Sequence, residues 1–368
     1  IPQARALPDP MASVTFGEAA ETAAGQVEYI VGVRQSLPFP GTLDAREKVA
    51  RQRVNEALGE MEAVVQQVRA DVQRAYWSYY AATREVEVLE ENRQLLTQIE
   101  SSVNSRVKVA AAGQNDQLRV SRRRAAIENG ISRAKQRQRS AMAMLVRYVG
   151  KGRGTPIPRP TIAEGSVGPV DRDGLAQRAM RTNPAVRVAR ARAATYRSRL
   201  DLARRERLPD FVVGLNYGAV RASGLSPVAN GDDQFSATVG VSIPIWNQKY
   251  DAAETEALRG IGEAIAGIRA AQDRAVFEID DALARLEANQ QLLARLRERI
   301  TPDARQAITV AMKSYQTGKL DLLQLLDDWD ALLDDQLDEA RAVANIHKAV
   351  ADIEQTLGSA LGAPEPNP

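Results

Sequence analysis

The feature that most constrains this chain is that its pattern occurs twice, about 200 residues apart. Leu7-Pro8-Asp9, followed by Ala12, Val14 and Phe16, returns as Leu208-Pro209-Asp210, followed by Phe211, Val213 and Leu215. Gln26, Val31-Gly32-Val33 and Leu37-Pro38-Phe39 return as Gln234, Val239-Gly240-Val241 and Ile243-Pro244-Ile245, and Asp44-Ala45 returns as Asp251-Ala252. Each half reads as two strands and a loop, a very long helix, a glycine turn and a second long helix.

The helical half of each repeat has a heptad seam. Val65, Val68, Val72, Ala75, Tyr79, Ala82, Val86 and Leu89 step by three and four without a break. Shifted by 207, the seam reads Gln272, Ala275, Ile279, Ala282, Leu286, Asn289, Leu293 and Leu296. Seams in register across a duplication imply equivalent helices in a pseudo-symmetric bundle. The run from Leu43 to Gly113 spans roughly 100 Å at about 1.5 Å per residue. That suits a coiled-coil wall rather than a compact core. Pro302 falls inside the second helix and is expected to kink or break it, because it lacks a donor and clashes with the preceding turn.

The strand segments have a period of two. Phe235, Ala237, Val239, Val241 and Ile243 alternate with Ser236, Thr238, Gly240 and Ser242. Phe211, Val213, Leu215, Tyr217 and Ala219 alternate with Val212, Gly214, Asn216 and Gly218, and Val27, Tyr29, Val31 and Val33 form the first-half apolar set. One apolar face and one small or polar face fit strands between hydrocarbon and a wet lumen. A half-buried sheet of a soluble coiled-coil scaffold fits each strand alone as well. Four strands cannot close a barrel, and an open apolar sheet leaves unpaired edges that several chains could remove by pooling strands.

Composition excludes much else. The 49 basic and 47 acidic residues nearly cancel, unlike the field of a dedicated nucleic-acid binder. There is no cysteine, and His347 is the single histidine, which removes thiolate sites and most zinc and triad templates. No apolar run approaches the roughly 20 residues of a spanning helix, which leaves a β-barrel open. Gly150-Lys151-Gly152-Arg153-Gly154 lacks the Lys-Ser/Thr and helix entry of a phosphate loop. Nothing points to catalysis or to a cofactor. The chain opens at Ile1 without the basic and apolar regions of a signal peptide, so the strands must argue the compartment.

Four stretches resemble the outer membrane factor family, the TolC-like efflux proteins. They are Leu175-Ala176 through Asn183-Pro184-Ala185-Val186 to Leu208-Pro209; Val241-Ser242-Ile243-Pro244-Ile245-Trp246-Asn247-Gln248; Tyr315-Gln316-Thr317-Gly318-Lys319-Leu320-Asp321-Leu322-Leu323; and Asp327 to Leu337 with Leu357-Gly358. Gln35 to Gly41 is most similar to the heavy-metal, CzcC-like branch. The family's two helices before the first strand have no counterpart ahead of Leu7. The resemblance implies a mainly α fold with a small β part: duplicated coiled-coil hairpins forming a periplasmic α-barrel, and four strands contributed to a trimeric twelve-stranded transmembrane β-barrel. It implies a passive outer-membrane channel of a Gram-negative-type bacterium, extending into the periplasm and exporting solutes such as metal ions or drugs. The partners implied are two further copies, a periplasmic adaptor, an inner-membrane pump of the RND type and outer-membrane lipid.

The expected organisation is a first repeat over 1–149 (strands about 10–40, helices about 43–149) and a Pro/Gly-rich equatorial linker over 150–174. A second repeat over 175–362 follows (helix pair 175–208, strands about 209–245, helices about 249–358), then a tail over 363–368.

Candidate residues follow from the same matching. Three chains turn any inward-facing acid into a ring, a plausible cation filter, and Asp327 matches an aspartate of the family's closed tip. Gln324 and Leu320 stand where well-studied members have a second aspartate and a gate-locking arginine, and Asp321 joins Asp327 and Gln324 as an aperture candidate. An acidic run on a helix is also what a solvated face looks like. Tyr315, Gly318 and Lys319 form the turn where an adaptor would meet the tube, with Gly113 as the first-half counterpart of Gly318. Trp246 is a candidate membrane-interface anchor, with a packed collar residue as the alternative. The arginines between Arg119 and Arg139 lie on a helix whose pseudo-equivalent is the acidic last helix, and they fit charge pairing between neighbouring helices better than nucleic acid. His347 reads as a packed or surface imidazole.

Overall fold

A computed structural model describes residues 1–16, 25–152, 155, 157–161, 171–222 and 231–362. Residues 153–154, 156 and 162–170 of the expected 150–174 linker, and the 363–368 tail, lie outside the described residues.

The elements run α1 (Pro2–Arg5), β1 (Met11–Phe16), β2 (Gln26–Leu37), α2 (Thr42–Lys108), α3 (Gln114–Val149), α4 (Arg172–Thr182), α5 (Pro184–Arg205), β3 (Phe211–Arg221), β4 (Gln234–Val241), α6 (Asn247–Arg295), a π-helical turn (Leu296–Ile300), α7 (Thr301–Gln316) and α8 (Leu322–Leu357). The four strands fall within 11–37 and 211–241, and α4 begins at Arg172. That pair divides at Asn183-Pro184, where Asn183 closes α4 and proline opens α5. Proline excludes its predecessor from helix and is preset for a first helical position. The chain forms two compact units, Ile1–Met61 with Ala185–Ala271, and Glu62–Pro184 with Gln272–Pro368, so each unit draws on both repeats.

The first unit holds the sheet, with strand order β1-β2-β3-β4 and every neighbour antiparallel. Beneath it, α5 lies between the starts of α2 and α6. Lys48 bonds Asp201 at 3.1 Å, Thr195 bonds Glu56 at 3.2 Å, and Arg204 bonds Glu254 at 2.8 Å. Phe39 is stacked 6.4 Å from Phe211, and its amide donates to Asp210 at 2.9 Å.

In the second unit the seams are buried as the heptads require. Ala75, Tyr79, Ala82, Val86 and Leu89 are buried, as are Ala275, Ile279, Ala282, Leu286 and Leu296. Leu175 and Ala179 of α4 cover the second seam, packing against Ala275, Ile279 and Ile353. Val65 and Val68, at the start of the first seam, are exposed.

Pro302 does not break the helix. The backbone stays helical at Ile300 and Thr301, and the chain widens into the π turn just upstream. The duplication explains why. The seams correspond at an offset of 207 as far as Leu89 and Leu296, whereas the buried Val103 and Ala311 beyond them correspond at 208. The second repeat therefore holds one extra residue between these points, and a π turn is how a helix absorbs one residue without losing its phase. Placing the missing proline donor in the same turn leaves one fewer bond to lose.

Basic side chains of α3 pair with neighbouring helices, and three of these pairs fall within their own hairpin. Arg124 meets Glu100 at 3.1 Å, Lys135 meets Glu90 at 2.8 Å, and Arg137 meets Glu85 at 2.6 Å, all on α2. Arg123 alone among them reaches the acidic last helix, at Asp330. The hairpin partner is the nearer neighbour along that face. His347 stacks on Trp77, with ring centroids 3.7 Å apart and planes 3° apart.

Candidate functional site

Two places carry function: the faces of the sheet, and the turns that end the two long hairpins.

Cross-strand partners share a face, so the register sorts the side chains. One face collects Val14 and Phe16 with Tyr29, Val31 and Val33, then Val213, Leu215 and Tyr217, then Phe235, Val239 and Val241. The other collects Ser13, Gly32, Arg34, Gly214, Asn216, Gly218, Ser236 and Thr238. The apolar face has no cover in the single chain: Phe235 is 82% and Val239 78% exposed. Val27 does not belong to that face. A register shift between Val27 and Tyr29 pairs Val27 with Val220 and Tyr29 with Ala219, so Val27 turns to the opposite side. Aromatic rings bracket the aliphatic band. Phe16 lies 6.4 Å from Tyr29 and Tyr217 lies 5.1 Å from Phe235 at one end; Phe211 and Phe39 stack at the other. Trp246 is 74% exposed in the segment between β4 and α6. β1 and β4 each have an unpaired edge among the described strands.

At the turns, α2 passes to α3 and α7 to α8 through segments of identical hydrogen bonding, 208 residues apart. Ala110 N–H donates to Val107 O at 3.0 Å and Ala111 N–H to Arg106 O at 2.8 Å; Gly318 N–H donates to Tyr315 O at 3.0 Å and Lys319 N–H to Ser314 O at 2.9 Å. Both are left-handed closures of a helix. The left-handed residue is Gly318 (φ 77°) in one turn and Ala110 (φ 57°) in the other. Gly113 is thus not the counterpart of Gly318. It sits with extended φ and ψ as the cap of α3 and corresponds to Asp321, which caps α8 by accepting from Gln324 N–H at 2.9 Å.

Tyr315 is only 2% exposed and packs in the core with Leu322, Leu326 and Trp329, so its ring supports the turn from inside. Lys319 and Gly318 are exposed. Gln324, Asp327, Asp334 and Asp338 form an exposed stripe on α8 opposite its buried leucines. Asp330 lies beside that stripe. Burial, with the nearby charges of Asp334 and Asp327, holds its carboxyl above the usual range despite Arg123.

Sequence reasoning missed Arg106. From the last turn of α2 its guanidinium donates to Ala111 O at 3.0 Å and to Tyr315 O, and lies 4.6 Å from the centre of the Tyr315 ring. One side chain thereby closes its own helix and that of the other repeat. The only sequence signal is a basic residue in a last helical turn, which many helices share.

Paired long hairpins together with a two-faced, four-stranded sheet define the TolC-like class of channel, in which three chains pool their strands in one barrel. The pattern of the outer membrane efflux protein family matches residues 175–359, half of the chain. The chain belongs to that family, and it is an outer-membrane efflux channel. No curated protein sequence matches it. Among solved structures it is similar to the outer membrane protein VceC of Vibrio cholerae (18% identity, TM-score 0.78, covering 98% of this chain and 89% of that one). A membrane protein of Pseudomonas aeruginosa (19%, TM-score 0.79, 97% and 83%) and the MtrE outer membrane channel of Neisseria gonorrhoeae (16%, TM-score 0.76, 98% and 82%) share the fold.

Proposed function

We propose that three copies of this chain form a passive export conduit, fed from the periplasmic side by an adaptor and an inner-membrane pump of the RND type. The observation that carries this reading is the uncovered apolar face shared by all four strands, with an open edge on β1 and on β4. Hydrocarbon is the environment such a face is suited to, and lateral closure with other copies satisfies both edges. The chain itself performs no chemistry. Trp246 and the aromatic clusters mark the membrane boundaries. The two turns meet the adaptor through exposed Gly318, Lys319 and the Gly113 segment, while Asp327, Gln324 and Asp321 line the aperture.

Detergent dependence tests the conduit. The full chain should be extracted from membranes only with detergent and run as a trimer with mixed helix and strand signal. A monomer stable in plain buffer would remove the reading. Charge reversal at Lys319 should weaken binding of the adaptor and leave the trimer intact.

A further inference from the structure

The described strands carry three charged side chains: Glu28, Arg34 and Arg221. Glu28 and Arg221 neutralise one another at 2.5 Å, next to the register shift. Arg34 is different. It is exposed and has no ion pair among the described residues. It stands on the small, polar face, where its cross-strand partners are Met11 and Gly214 and where Gly32 is its neighbour two positions along β2. The sheet thus carries one uncompensated charge per chain, on the face turned away from lipid.

We propose that Arg34 makes the membrane-spanning part of the conduit favour anions. Three copies form a cationic ring in the lumen, which concentrates solutes of net negative charge and holds back cations. The inference rests on the trimeric-barrel reading above.

The dimensions support an effective ring. Twelve strands about 4.8 Å apart and tilted about 40° close at a backbone radius of roughly 12 Å. An arginine reaches roughly 6 Å from its Cα, which brings the guanidinium within one Debye length of the axis, about 8 Å at physiological salt. Gly214 sets no side chain directly opposite Arg34, while the space over Gly32 is taken by the Asn216 side chain.

The absence of cysteine makes the test direct, because any introduced thiol is the only one in the chain. Thr238 pairs with Gly214, which pairs with Arg34, so it lies two strands away on the same face, about 10 Å. In water a unit charge at about 10 Å changes a monovalent ion's local concentration about twofold. With three arginines acting oppositely on the two signs, a Thr238→Cys thiol in the detergent-solubilised trimer should favour an anionic over a cationic methanethiosulfonate. At low ionic strength that preference should fall about fivefold on adding Arg34→Gln. Arg34→Lys should keep it, and about 1 M salt should abolish it. A reactive Thr238→Cys whose preference is unchanged by Arg34→Gln at low salt overturns the ring and leaves the barrel standing. An unreactive Thr238→Cys beside a reactive Val239→Cys overturns the assignment of faces, and the barrel reading with it.

Discussion

Replacing Arg106 with alanine should loosen both hairpin turns at once, although they are 208 residues apart in sequence. The guanidinium supplies a bond to Ala111 O at 3.0 Å, a bond to Tyr315 O and a ring contact at 4.6 Å. Hydrogen bonds from a charged donor contribute about 1.5–3 kcal/mol each, and the half-exposed position of Arg106 argues for the low end. The cation–ring contact adds about 0.5–1 kcal/mol. The two carbonyls regain water when the arginine leaves, so the net loss is about 2–4 kcal/mol in the local opening free energy. At tenfold per about 1.4 kcal/mol, that is at least thirtyfold in the open population. Hydrogen exchange resolved to the turns reads it directly: the Ala111 and Lys319 amides, bonded at 2.8 and 2.9 Å, should both exchange at least thirtyfold faster. Ile131, deep in the bundle, should not change. Arg106→Lys should recover only part of the protection, since an ammonium cannot fork between two carbonyls. If either turn keeps its protection within threefold of wild type, Arg106 does not clamp the pair.

Other outcomes follow from the same geometry. Val239→Arg should destabilise the membrane-inserted trimer by about 2–4 kcal/mol, and Thr238→Arg by much less, measured by folding into bilayers; equal costs would contradict the two-faced sheet. Gly318→Ala should cost about 1 kcal/mol and Ala110→Gly should gain a similar amount, because an L side chain pays in the left-handed region; denaturant unfolding of the two variants checks the opposite signs. Burial holds the pKa of His347 below its ordinary value. The unfolded chain therefore binds the proton first, and stability should fall as pH drops through about 6.5 and level off below the folded pKa. His347→Gln should remove that slope, which thermal unfolding as a function of pH would show.

Much of this protein was legible because its signals are local. The alternation of β3 and β4, the seams of α2 and α6 and the proline that divides α4 from α5 all follow from short-range periodicity and backbone chemistry. The hairpin turn at Gly318 was legible for the same reason, while its partner at Ala110 was not: alanine carries no mark of left-handed backbone, and the nearby Gly113 has extended backbone instead. The π turn was half legible. Its signal was a change of offset from 207 to 208 between the repeats, visible only when the seam and the turn are aligned together.

By itself, the sequence determined the duplication, the element types and the two-faced strands, since each depends on neighbours within a few residues. Tertiary structure alone decided which glutamates the α3 arginines meet, that Val27 turns away from the apolar face, and that Arg106 joins two distant turns. Those outcomes depend on which groups approach through space, and residues far apart in a chain carry no local record of that approach.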